Sequence, residues 1–149
     1  MRVILPLLLS FFISVSVSAQ ILKPAKWNFE VSKKDPKVGE VIELVFTATI
    51  DNMWYMYAND FDPECGPILT ELVFTDIKNF ELVGSTKAIN PTPKYDENFG
   101  CDVKIFKKKG QFRQRVKVVG SPVTLSGSIE GQVCTELDGK CISFEEDFS

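Results

Sequence analysis

The 149-residue chain contains no histidine. That removes the side chain that most often serves as a general base near neutral pH, and the commonest metal ligand. There is no excess of positive charge either: 17 basic residues stand against 20 acidic ones, a net charge of −3. A surface of that balance has no electrostatic case for nucleic acid. Lys107, Lys108 and Lys109 read as a solvated turn rather than a phosphate-binding patch. Beyond the N-terminus no apolar run is long enough to span a bilayer. No internal repeat, low-complexity segment or helical period is visible.

What is present begins with the segment MRVILPLLLSFFISVSVSA, residues 1–19. A short positive start at Arg2, an apolar stretch and the small residues Val17-Ser18-Ala19 predict a secretory signal peptide cut after Ala19. The mature domain is then residues 20–149, with 16 basic against 20 acidic residues and a net charge of −4. Export predicts a periplasmic or secreted location. It also makes disulfides the default state of Cys65, Cys101, Cys134 and Cys141. Zinc is the competing reading. The gaps of 35, 32 and 6 intervening residues lack paired-knuckle spacing, so no metal is expected.

The rest of the chain reads as strands. In VIELVFTATI, Ile42, Leu44, Phe46, Ala48 and Ile50 fall on one phase and the more polar residues on the other. Such alternation predicts a strand with one buried face. QFRQRVKVV repeats the pattern through Phe112, Val116 and Val118. Further strands are expected at 27–32, 53–58, 71–75, 80–85, 103–107, 123–133 and 142–148. Turn signals separate them, among them Pro91 to Pro93 and Asp138-Gly139. Together they predict an all-β protein, an immunoglobulin-like antiparallel sandwich with Trp54 packing its core.

Cys134 and Cys141 flank TELDGK, whose Asp-Gly suits a hairpin turn. A loop of Glu136 to Gly139 sets Thr135 against Lys140 and Cys134 against Cys141, at a separation a disulfide accepts. Pairing of either cysteine with a distant one stays open. By phase, Cys134 shares a face with Ser128, Glu130 and Gln132, opposite Ile129 and Val133. Cys141 shares a face with Ser143, Glu145 and Asp147, opposite Ile142, Phe144 and Phe148; Glu146 is the exception on the apolar side. Both cysteines are therefore expected outside the core and within reach of another thiolate. Two functions follow: a redox carrier, or an exported noncatalytic binding module stapled by two disulfides.

Four ordered segments, WNFEVSKKDPKVGEVIELVFTATI, MWYMYANDF, YDENFG and GQVCTELDGKC, resemble the N-terminal periplasmic domain of the DsbD family of thiol:disulfide interchange proteins. The resemblance implies an immunoglobulin-like fold with Cys134 and Cys141 as the redox pair and Cys141 as the sulfur that contacts the partner. It implies thioredoxin-like periplasmic proteins as electron acceptors, a separate membrane protein as donor, and no cofactor. It further implies that YDENFG is a cap loop, with Phe99 covering the pair and Asp96 and Glu97 beside it. Those carboxylates, if close, would raise the thiol pKa. Tyr55 and Tyr57 are implied as flanking aromatics. A Cys65–Cys101 bond would anchor the cap.

Overall fold

The computed structural model describes residues 22–149; the signal peptide expected over residues 1–19 lies outside the described residues. Ten strands follow in order: β1 (Ala25–Val31), β2 (Val41–Ile50), β3 (Trp54–Tyr57), β4 (Glu71–Lys78), β5 (Phe80–Ala88), β6 (Thr92–Asp96), β7 (Cys101–Lys107), β8 (Lys109–Val118), β9 (Thr124–Thr135) and β10 (Cys141–Phe148). One 3₁₀ turn, Pro63–Cys65, lies between β3 and β4. Its start is capped by Asp62, whose carboxylate accepts from Glu64 N at 2.9 Å.

The strands form two antiparallel sheets, the architecture of an immunoglobulin-like sandwich. One is four-stranded, in the order β1-β2-β8-β5. The other is six-stranded, in the order β10-β9-β3-β7-β6, with β4 also pairing β9. The long strand β9 holds β10 along one side; on the other side β4 pairs its first part and β3 its last residues, from Val133 to Thr135.

Alternation fixes which residues enter the space between the sheets. Ile42, Leu44, Phe46, Ala48 and Ile50 of β2 are all buried, as are Phe112, Val116 and Val118 of β8. Ile129 and Val133 of β9 and Phe148 of β10 face them in the same cluster. Burying each large side chain stabilises the fold by about 1.5–3 kcal/mol. Trp54 packs against this core as a partly buried residue. Glu146, the exception to the pattern of β10, ends in a surface ion pair with Lys23 at 2.7 Å.

One polar residue occupies the apolar phase of β8. Gln114 is buried, and its amide donates to the carbonyls of Gly84 (3.1 Å) and Arg115 (2.8 Å), while its Oε1 accepts from Thr86 at 2.9 Å. These partners lie where β5 loses register with β8, between Val83 and Lys87. The side chain thus satisfies backbone groups that the bulge leaves unpaired.

Strand β6 departs from the sequence reading, which takes Pro91 to Pro93 as a turn. Pro93 is tolerated because β6 is an edge strand that pairs with β7 alone. Beginning β7 at Cys101 places the segment 97–100 as the tight connection between β6 and β7.

Candidate functional site

The β9–β10 hairpin sets the cysteines. Thr135 N–H donates to Lys140 O at 2.9 Å and Gly139 N–H to Thr135 O at 3.1 Å. Thr135 Oγ1 and Asp138 Oδ1 accept from the backbone N–H groups of Leu137 and Lys140. Gly139 takes φ +70°, open to glycine at no steric cost. Cys134 and Cys141 are then directly opposed in the ladder, with Cα atoms 4.0 Å apart, and joined as a disulfide. Of the pairings the sequence leaves open, the cross-strand one is formed.

The phase argument holds for position but not for exposure. Ile129 and Val133 enter the inter-sheet core, and Cys134 lies on the opposite face of the six-stranded sheet, in a separate cluster with Tyr55, Tyr57, Val103 and Ile105. That outer face is itself covered. Cys134 is 0% exposed, and Ser128 and Gln132 are buried with it. Cys141, on the edge strand β10, is exposed. The expectation that both cysteines stand open is thus corrected: Cys141 is exposed and Cys134 is not. The cover comes from β3 and β7 beside β9, and from Phe61, Cys65 and Cys101 packed over them. These segments are distant in sequence, and a strand pattern cannot register them.

Tyr55 is the ladder partner of Cys134 on one side and of Lys107 on the other. Its ring meets that of Tyr57 edge-on, with centroids 5.5 Å apart and the two hydroxyls at 3.4 Å. Both tyrosines are buried, not sheet-surface residues. Tyr57 O–H donates to Asp96 Oδ2 at 2.6 Å. Lys94 Nζ donates to the same oxygen at 3.2 Å and to Tyr55 Oη at 3.4 Å, and sits 4.4 Å from the centroid of the Tyr55 ring. The geometry is that of a partly desolvated cation–π contact.

Burial works against the charge on Asp96, but the hydrogen bonds from Tyr57 and Lys94 outweigh it and hold the carboxyl below its ordinary range. For Lys94 burial again opposes the charge; the bonds and charges of Asp96 and Tyr55 together outweigh it and its pKa ends raised. Burial, followed by the bond to Asp96, drives the Tyr57 phenol well above its usual value. Asp96 is therefore a carboxylate already paired with a cation, which weakens the expectation that it raises a nearby thiol by its charge. Glu97 is exposed.

The turn after Asp96 carries the remaining residues of the expected cap. Asp96 Oδ1 accepts from Asn98 N at 3.0 Å, and Gly100 N donates to Asp96 O at 2.7 Å. Phe99 is 41% exposed. Its ring lies on Gly66 and approaches Tyr57 edge-on, with centroids 6.5 Å apart. Asn98 lies against Gly139 of the cysteine hairpin. Next to this turn, Cys101 is joined to Cys65 of the 3₁₀ turn, with Cα atoms 5.9 Å apart.

Three residues of this region escape the sequence reading. Gln132, two positions before Cys134, donates from Nε2 toward its Sγ at 3.9 Å. Lys94 neutralises Asp96, and Asn98 joins the turn to the hairpin. The strand repeat of two was the available signal for Gln132 and for Lys94, each on the face of a residue already singled out. Among the described residues no group of three or more histidine, cysteine or acidic side chains is arranged to hold a metal ion.

Comparison with known proteins adds the following. The chain is similar to the reduced form of the N-terminal domain of DsbD from Neisseria meningitidis, at 19% identity, over 71% of this chain and 75% of that chain, with a TM-score of 0.45. No curated protein matches the chain. The family model described as thiol:disulfide interchange protein DsbD, N-terminal, matches residues 18–149. By that match, which takes in every strand and all four cysteines, the chain belongs to the DsbD N-terminal family of thiol:disulfide interchange domains.

Proposed function

We propose that the mature domain, residues 20–149, works in the periplasm as an electron carrier that exchanges its Cys134–Cys141 disulfide with partner dithiols. A separate membrane protein reduces it, and thioredoxin-like proteins oxidise it. The observation that carries this reading is the asymmetry of the pair: Cys141 is exposed at the sheet margin while Cys134 is fully buried. Exchange runs through a mixed disulfide, and a pair with one reachable sulfur supports an ordered version of it.

In the delivering direction the Cys141 thiolate attacks the disulfide of the acceptor. A bond forms between Cys141 and one acceptor sulfur, and the other acceptor sulfur leaves as a thiolate. Cys134, as thiolate, then attacks Cys141 Sγ. The intramolecular disulfide forms, the mixed disulfide breaks, and the acceptor departs as a dithiol. Two electrons have passed to it, and the protons exchange with solvent. Sulfur supplies all of this chemistry, so neither metal nor organic cofactor takes part.

Asp96, Glu97 and Phe99 form the cap of the site in this reading, and Tyr55 and Tyr57 its wall. The Cys65–Cys101 bond beside Phe99 anchors the cap. The test is a trap. With Cys134→Ser, Cys141 should accumulate as a mixed disulfide with a thioredoxin-like protein in periplasmic extract. Absence of any such adduct, together with a reduction potential for the native pair below about −300 mV, identifies a stapled, noncatalytic binding module instead.

A further inference from the structure

A buried carboxamide lies beside the reacting sulfurs. Gln132 and Cys134 are two apart on β9, which puts both on one face of the sheet. Gln132 is 7% exposed, and its Nε2 lies 3.9 Å from Cys134 Sγ. A disulfide sulfur is a poor acceptor, and a buried donor facing one is poorly matched. The match improves once that sulfur carries a charge, because hydrogen bonds to ionised groups are shorter and about twice as strong.

Cys134 needs such a donor. It is fully buried among Tyr55, Tyr57, Val103 and Ile105, and burial disfavours a thiolate. The charged and titratable groups nearest it are engaged elsewhere, and Asp102 of β7 and Glu145 and Asp147 of β10 are carboxylates, which donate no hydrogen bond. On β3, Tyr55 stands opposite Cys134, and the Tyr57 hydroxyl is committed to Asp96. On β6, the Lys94 ammonium pairs with that same Asp96. On β7, Lys107 pairs with Glu136 of the hairpin loop. Cys65 and Cys101 are bonded to each other, and β10 contributes Cys141 itself. Among the described residues, the donor that reaches the Cys134 sulfur is the Gln132 amide.

We propose that Gln132 is a catalytic residue of the exchange, its carboxamide N–H holding the Cys134 sulfur as a thiolate during the resolving step. The inference rests on the carrier reading above and names the group that makes its buried sulfur competent. In that step Cys134 thiolate attacks Cys141 Sγ, the Cys134–Cys141 bond forms, and the partner sulfur leaves with the electron pair of the mixed disulfide. The amide transfers no proton.

The experiment uses the Cys141→Ser chain, in which Cys134 is the lone free thiol, and titrates its thiolate absorbance at 240 nm. Gln132→Met keeps similar volume without the donor and should raise the Cys134 pKa by about one unit. Gln132→Leu, which also lacks the donor and adds no charge, should raise it by a similar amount, and it carries the test if the methionine variant does not fold. In the chain with both cysteines, a mixed disulfide of Cys141 with 2-nitro-5-thiobenzoate releases its coloured thiol when Cys134 resolves it. At pH 7 the Gln132→Met variant should release it about threefold more slowly, a tenfold loss of thiolate being partly offset by higher nucleophilicity. A Cys134 pKa unmoved in the folded variants overturns the proposal, whatever happens to their melting temperature. The partner trap is independent: its failure with a shifted pKa sinks the carrier reading and leaves the role of Gln132 at this sulfur standing.

Discussion

The Phe99 ring rests directly on the backbone of Gly66: a β-carbon added there would lie 2.7 Å from Phe99 Cδ1. Gly66 also has φ +114°, a conformation that other residues adopt only at a cost. Gly66→Ala should therefore displace the ring and lose about 1–3 kcal/mol of stability. If Phe99 shields the cysteine pair, dithiothreitol should reduce Cys134–Cys141 several-fold faster in this variant. An unchanged rate in a folded, destabilised variant removes Phe99 from the cap.

The Cys65–Cys101 bond spans 36 positions and packs against the cluster that encloses Cys134. Replacing both cysteines by serine should cost about 3–4 kcal/mol in the chain-entropy account of disulfides. Denaturant unfolding measures that loss. Reduction of Cys134–Cys141 should accelerate in parallel if the bond also anchors the cap. Lost stability with an unaltered reduction rate would mark it as a staple alone.

Asp96 has a definite signature in acid. Its folded pKa lies below the ordinary carboxylate value, so the stabilisation from its bonds is complete above about pH 4 and is lost as pH falls through the lower, folded value. Asp96→Asn should be less stable than the parent by about 1–3 kcal/mol at pH 7. The gap should hold down to about pH 5 and close in stronger acid, where the parent carboxyl is protonated too. Urea melts at pH 7 and pH 2.5 that differ between the two proteins by the same amount contradict the pairing.

Alkylation reads the two sulfurs separately. In the reduced protein, iodoacetamide should modify Cys141 at least about tenfold faster than Cys134, because accessible thiolate sets the rate. Peptide mapping of a time course identifies the labelled residue. Equal labelling, or Cys134 first, rules out the ordered exchange.

The sandwich is legible in the sequence because its strands bury one face each. The alternations of β2 and β8 forecast their core residues one by one. The same rule separates Cys134 from Val133, and Asp-Gly foretells the hairpin that aligns the cysteines. What alternation cannot convey is that the second face of a sheet is also covered. Cys134 and Gln132 look solvent-facing by phase and are buried; residues of β3, β7 and the turn at Cys65 pack around Cys134 from far along the chain. Proline misleads at β6, where an edge position leaves its missing N–H unneeded. Lys94, inside that misread strand, accordingly went unseen as the counter-ion of Asp96.

The strands β9 and β10 remain paired from Cys134–Cys141 through Phe148–Gly127, and the turn is closed by backbone bonds of its own. The sulfur bridge is therefore redundant for keeping the hairpin in register. In the carrier proposed above, opening it would free two atoms to react while the scaffold keeps its shape, so that repeated cycles of oxidation and reduction would need no refolding between them.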